Sequence, residues 1–212
     1  MKNDISYYIN KSIFITATNT DVGKTYASEK FLRYFTSKGL KVGYFKPFET
    51  GVIDFPLDGT KMLNLVKTLN PSFDVTINVV PYQFKLPAAP YVAKENTIID
   101  IEFLKEKKKY LEQFCDLLII EGAGGLMVPV EKDLFIIDLI KIFDASAILI
   151  APSKLGCIND TILSVNALKE KNIDFELFIN LYQDIESFEK VSKPFLIDYF
   201  KKLNFLEDLE NL

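Results

Sequence analysis

Two lysines and two acids in this chain stand at the ends of short apolar runs or at the helix starts that follow them, and their types and spacing describe a site for phosphoryl chemistry. Gly23-Lys24-Thr25 follows the apolar run Ser12–Ala17 and the turn Thr18–Val22. A buried strand that turns into Gly-Lys-Thr and then into a helix is the setting of a phosphate loop. Backbone N–H groups at the turn and helix start point at phosphate oxygens, Lys24 adds a charge near the β- and γ-phosphates, and the Thr25 hydroxyl suits Mg²⁺. The full Walker pattern is not met, because Thr18 stands where its first glycine belongs. A chance Gly-Lys-Thr at a helix start is the bland alternative, and the order strand, turn, GKT, amphipathic helix weighs against it.

Lys46-Pro47 ends a second apolar run, and Pro47, lacking an N–H, stops that strand. Lys46 is then either a surface lysine at a strand exit or a charge beside the phosphate loop. Glu121 ends a third run and precedes Gly122-Ala123-Gly124-Gly125. A carboxylate at the end of a buried strand is costly unless a cation or hydrogen bonds meet it, and a strand-terminal acid is where a nucleotide-bound Mg²⁺ is held. Asp58, alone, reads as a helix N-cap. The chain has no histidine, so Ser-His-Asp and Cys-His catalysis are excluded. Cys115 and Cys157 lie far apart with no metal-ligand spacing.

Elements that would position these groups are legible. Buried parallel strands are expected at Ser12–Ala17, Lys41–Phe45, Leu117–Ile120, Ala147–Ala151 and Phe175–Ile179. Helices are expected at Lys24–Ser37, Leu57–Leu69, Asp100–Phe114, Leu134–Phe143, Asp160–Lys171 and Lys193–Phe205, the last as one continuous helix. Phe73–Lys94 is irregular, with an extra strand near Val75–Val80. The alternation predicts one α/β domain over 1–212, with a doubly wound, mostly parallel sheet flanked by helices. With 49% apolar residues, 18 Phe and 10 Tyr, the material for a core is ample. A net charge of −4 gives no nucleic-acid footprint, and the basic run Lys105–Lys109 reads as a solvated helix face. No membrane span and no signal segment are seen in the sequence, so a soluble, cytoplasmic protein is expected.

Taken together the motifs resemble those of dethiobiotin synthetases, which are P-loop NTPase-like. Thr16–Thr25 (TATNTDVGKT), Lys46–Gly51 (KPFETG), Glu121–Gly125 (EGAGG) and Lys154–Asn159 (KLGCIN) stand in that family's order. The resemblance implies ATP-dependent carboxylation and ring closure of 7,8-diaminononanoate with CO₂. Lys24 and Lys46 would be catalytic, and Thr25, Asp58 and Glu121 would hold Mg²⁺. Asp21, Val22, Gly23, Lys24, Thr25, Tyr26, Asp58, Glu121, Gly122, Ala123 and Gly124 would bind the nucleotide, with Asn180 facing adenine. Thr20, Lys46, Thr50 and Gly124 would bind the substrate. Gly156, Cys157, Ile158 and Asn159 would hold its tail carboxylate from a second subunit, so a homodimer is implied. Read alone, that segment is a helix start with Asn159 as its cap and Cys157 as a packing residue. Two departures stand out: Ala17 replaces the family's usual glycine, and the family's G-x-I-P element is missing after Asn180. A MinD/ParA-like nucleotide switch is the alternative, disfavoured because Ala17–Thr20 contains no second lysine. A cobyrinate-synthetase-like amide ligase would need a glutamine-hydrolysing domain with Cys and His.

Overall fold

Strand β1 (Lys11–Ala17) lies at the middle of the sheet because every residue after Lys11 in it is buried and apolar or small. The structure, a computed structural model, describes residues 8–73 and 78–211. After β1 come α1 (Lys24–Ser37), β2 (Val42–Phe45), β3 (Phe48–Thr50), α2 (Leu57–Leu69), β4 (Tyr82–Phe84), α3 (Pro90–Ala93) and α4 (Ile101–Leu111). Then follow β5 (Leu117–Glu121), β6 (Pro129–Glu131), β7 (Leu134–Phe135), α5 (Ile136–Ile142), β8 (Ser146–Pro152), α6 (Cys157–Glu170) and β9 (Phe175–Asn180). The chain closes with α7 (Ile185–Ser187), a π-helical turn (Phe188–Ser192), α8 (Lys193–Phe200), β10 (Asn204–Phe205) and a 3₁₀ turn (Leu206–Asn211).

Six strands form one parallel sheet in the order β10-β9-β8-β1-β5-β2. Successive side chains of a strand point to opposite faces. All five residues of β5 are buried, so both faces of the sheet are covered. The expected doubly wound architecture is present. The register pairs Ile15 with Glu121 and Ala17 with Ile150. It therefore delivers the start of the phosphate loop and Glu121 to the same carboxyl edge, where ligands of open α/β sheets bind. Ala17 is an ordinary extended strand residue and is not among the residues with left-handed φ, so the missing glycine carries no backbone cost.

Several expectations need correction. The C-terminal segment is not one helix over Lys193–Phe205. Helical structure begins at Ile185 and stops at Lys201, whose φ is 65°. Asn204 and Phe205 then join β9 as a parallel edge strand, drawn in by burial of Leu206 and the edge-on contact of Phe205 with Phe188. Leu134–Phe135 pair with β6, so α5 is shorter than Leu134–Phe143. The strand expected near Val75–Val80 falls mostly on 74–77, outside the described residues; residues 78–80 are not strand, though Val79 O accepts from Lys46 N at 2.9 Å. Within Phe73–Lys94, β4 pairs in parallel with β3 in a small separate sheet, with Tyr82 stacked on Phe48.

Candidate active site

Helix α1 starts at Gly23, which has φ 95° and offers no side-chain cap. The N–H groups of the first turn are therefore left for an outside acceptor, and the helix dipole favours an anion there. A β-carbon at Gly23 would lie 2.3 Å from Asn180 Nδ2, so space as well as φ demands glycine. Asp21, with φ 57°, is the loop's other left-handed residue.

The first turn of α1 faces a cavity of about 460 Å³ lined in part by Thr20, Asp21, Gly23, Lys24, Thr25, Lys46, Thr50, Asp58, Glu121, Gly122, Ala123 and Gly124. These expected site residues, scattered over a hundred positions, share one cavity wall. Lys46 is thus not a surface lysine: it is 5% exposed, and its Nζ reaches Asp58 Oδ2 at 2.5 Å and Glu121 Oε1 at 3.0 Å. Glu121 is 1% exposed and fully engaged. Thr25 Oγ1 donates to its Oε1 at 2.9 Å, and Ser28 Oγ and Tyr44 Oη donate to its Oε2 at 2.7 and 3.0 Å. This is how a buried carboxylate escapes its desolvation cost. Lys24 lies deeper in the loop, with Nζ donating to Asn19 O at 3.2 Å.

The charges respond to these surroundings. Burial pushes the Lys24 ammonium down to about 8, with Glu121 opposing that and Lys46 adding to it. Burial also works against Lys46, but Glu121 and Asp58 outweigh it and raise Lys46 above its ordinary value. Burial, then the Glu121 charge, holds the Tyr44 phenol well above its ordinary range, so it stays a donor.

Asp58 is not an N-cap. It is the second residue of α2, and the capping falls to Glu49, whose Oε1 and Oε2 accept from Asp58 N and Gly59 N at 3.0 and 2.9 Å. A β-carbon at Gly59 would strike Val80 Cγ2 at 2.1 Å, which fixes how closely the helix start approaches. Sequence reasoning missed Glu49, Ser28 and Tyr44. Two of them carried a usable signal: Ser28 is three residues after Thr25 on a helix, and Tyr44 is two before Lys46 on a strand, so each shares a face with a named residue.

Val22, Tyr26 and Asn180 do not line the cavity. Tyr26 is exposed, while Asn180 is buried behind the loop, its Nδ2 donating to Val22 O at 2.9 Å and its Oδ1 unpaired. Gly156–Asn159 are also outside the cavity. They form the start of α6, where Gly156 with φ 95° is the N-cap, not Asn159, whose Nδ2 donates to Asp160 Oδ1. Cys157 is buried, and burial raises its thiol, as suits a packing residue.

Comparison with known proteins agrees with this geometry. A family model described as an AAA domain matches residues 11–210. The ATP-dependent dethiobiotin synthetase BioD of Sulfurovum sp. (strain NBC37-1) is 50% identical over 186 residues, 87% of this chain and 89% of that protein. The one from Wolinella succinogenes is 36% identical over 207 residues, 95% and 96% of the two chains. Among solved structures, the MinC:MinD cell division complex of Aquifex aeolicus superposes with a TM-score of 0.55 at 16% identity, covering 92% of this chain and 79% of that one. A plasmid partition protein of Borrelia burgdorferi gives 0.57 at 14% identity, covering 95% of each. Likeness at such low identity shows the shared P-loop NTPase fold alone. The sequence relatives, with a phosphate loop, two lysines and Glu121 meeting at one sheet edge, settle the family: the chain belongs to the ATP-dependent dethiobiotin synthetases.

Proposed function

We propose that this chain carries out its family's ring closure, joining CO₂ to 7,8-diaminononanoate at the expense of ATP, with the residues of the cavity in the following roles. One substrate amine adds to CO₂ and loses a proton, giving a carbamate. A carbamate oxygen attacks the γ-phosphorus and ADP leaves, giving a carbamic–phosphoric anhydride. The second amine attacks its carbonyl carbon, phosphate leaves and the ureido ring closes. The nucleophiles are the substrate's own groups, so the absence of histidine is no obstacle. The chain's task is positioning and charge stabilisation.

The observation that carries this reading is the convergence of Lys24, Lys46, Thr25, Asp58 and Glu121 on one cavity at the end of β1. The loop and Lys24 hold the triphosphate. Lys46, anchored by two acids, neutralises the carbamate and the transferring phosphoryl group, with Thr20, Thr50 and Gly124 beside the substrate. Asn180 serves the base: with Nδ2 committed to Val22 O, its unpaired Oδ1 is an acceptor suited to an exocyclic amine such as that of adenine.

A Mg²⁺ ion fits the donors present. Thr25, Asp58 and Glu121 offer oxygen alone, as a hard cation requires, and the Lys46 ammonium bridging the two acids marks a place for positive charge. Among the described residues no group of three His, Cys, Asp or Glu side chains forms a cage. The nucleotide's phosphates would supply further oxygens to such an ion. When bound, it would neutralise charge on the β- and γ-phosphates.

We infer that the site is shared across a homodimer. Exposed Met127 and Leu163 line a groove with Thr18, Asn19 and Gly125. A second copy covering this face would bring the N–H groups of its Gly156–Asn159 segment to the substrate carboxylate. No helix of the described residues is long and apolar enough to cross a membrane, and a cytoplasmic location suits the two free thiols.

The test is to supply diaminononanoate, bicarbonate and MgATP and look for dethiobiotin by mass spectrometry, with the mass in solution followed by sedimentation. Folded, ATP-binding protein that forms no product would refute the ligase, and a monomer that turns over would refute the shared site.

A further inference from the structure

The outer side of the phosphate loop is pinned at two successive carbonyls from the exit of a single strand. Asn180, the last residue of β9, donates from Nδ2 to Val22 O at 2.9 Å. Tyr182, two residues on, donates from its hydroxyl to Asp21 O at 2.6 Å. The peptide unit is planar and trans, so a carbonyl and the N–H of the next residue point in opposite directions. Fixing Asp21 O turns the Val22 N–H away from Tyr182, and fixing Val22 O turns the Gly23 N–H away from Asn180. Both N–H groups are thereby turned away from the residues that hold the carbonyls, and the flanking Asp21 and Gly23 line the cavity. The two left-handed residues that bracket Val22, Asp21 and Gly23, give this stretch the concave shape of an anion-binding nest. Asp21 is no glycine, and Thr18 replaces the loop's first glycine, so the loop is not shaped by small residues alone.

We propose that Tyr182 is a positioning residue for the phosphate loop. Its hydroxyl holds the Asp21–Val22 peptide so that the Val22 N–H faces the triphosphate. The proposal rests on the reading that the triphosphate lies in this loop. Tyr182 touches no reacting atom and acts through the backbone. Its ring is 43% exposed, so removing the hydroxyl leaves no buried void, and Tyr182→Phe should fold as the parent does.

Tripolyphosphate separates this role from base recognition, because it has phosphates but no nucleoside. In titration calorimetry, Tyr182→Phe should weaken tripolyphosphate and ATP by the same factor, about three- to tenfold, the scale of one net hydrogen bond. In steady-state kinetics the KM for ATP should rise while that for the diamine stays put. Tyr182→Ala should lose no more than Tyr182→Phe. An affinity for tripolyphosphate within about twofold of the parent overturns the proposal. So does a loss confined to ATP, which would mean that the hydroxyl reads the nucleoside, or a loss seen only in the alanine variant, which would make the ring a platform for the base. If the parent chain binds neither anion, the loop reading and this proposal fall together. If it binds both but makes no product, only the ligase reading falls.

Discussion

Lys24 and Lys46 stand in one cavity, are almost equally buried, and answer burial in opposite ways. Lys24 is 9% exposed and its ammonium is pushed down to about 8; Lys46 is 5% exposed and is raised. The difference lies in what touches each. Lys46 is gripped by the carboxylates of Asp58 and Glu121, whereas Lys24 meets a backbone carbonyl and feels Glu121 only from farther off. Burial lowers both lysines, and direct contact with two acids is what reverses the shift at Lys46. The loop region keeps its positive charge under-compensated and ready for an anion, while Lys46 is outnumbered by its two carboxylates before any ligand arrives.

The contrast can be broken at three points. The largest effect is expected for Lys46→Gln, which should keep ATP affinity near that of the parent but cut turnover by at least ~10²-fold, the scale of one lost transition-state donor. The same change removes a like charge beside Lys24. Rapid-quench or steady-state rates within tenfold of the parent would take Lys46 out of the mechanism. Next comes Glu49→Ala, which strips two backbone caps from α2 and loosens Asp58, the half-buried partner of Lys46. Chemical denaturation should show a loss of about 1–2 kcal/mol; less than about 0.5 kcal/mol would mean that α2 starts correctly without it.

The smallest effect concerns the Lys24 proton. Its folded pKa lies below the ordinary 10.5, so the folded chain binds fewer protons than the unfolded one between about 8 and 10.5. Stability from this group is present above that window and lost as pH falls through about 8. A bound phosphate restores the charge, so ATP binding near pH 8 should take up about half a proton. Near pH 6.5 Lys24 should contribute almost none, and Lys46, already charged, should contribute none at either pH. Calorimetry in buffers of differing ionisation heat measures this uptake. Equal uptake at both pH values would contradict the assignment to Lys24.

Much of this fold and site is legible in the sequence itself. The core strands and the helices at Lys24–Ser37 and Leu57–Leu69 were legible because burial on both faces and helical periodicity leave strong local patterns. The cavity residues were legible because the GKT loop, Lys46-Pro47 and Glu121 each follow a buried strand, and a parallel sheet brings such positions together. Glu49 was not, because its capping of α2 is set by how a loop folds back over nine residues and not by helical spacing. The segment after Asn180 was misread for a related reason. Its apolar residues satisfy helical spacing through Phe205, but the strand edge of β9 offers backbone partners to Asn204 and Phe205, and tertiary pairing overrides local preference.

The hydrogen bonds from the end of β9 and the residues just after it to the loop span 158 and 161 positions of the chain. On a ribosome, residues 18–25 emerge early, yet the side chains that aim their amides arrive only after most of the polypeptide has been made. A nascent fragment that stops short of Asn180 has the GKT signature without these two hydrogen bonds, so the loop is held in this shape only late in synthesis.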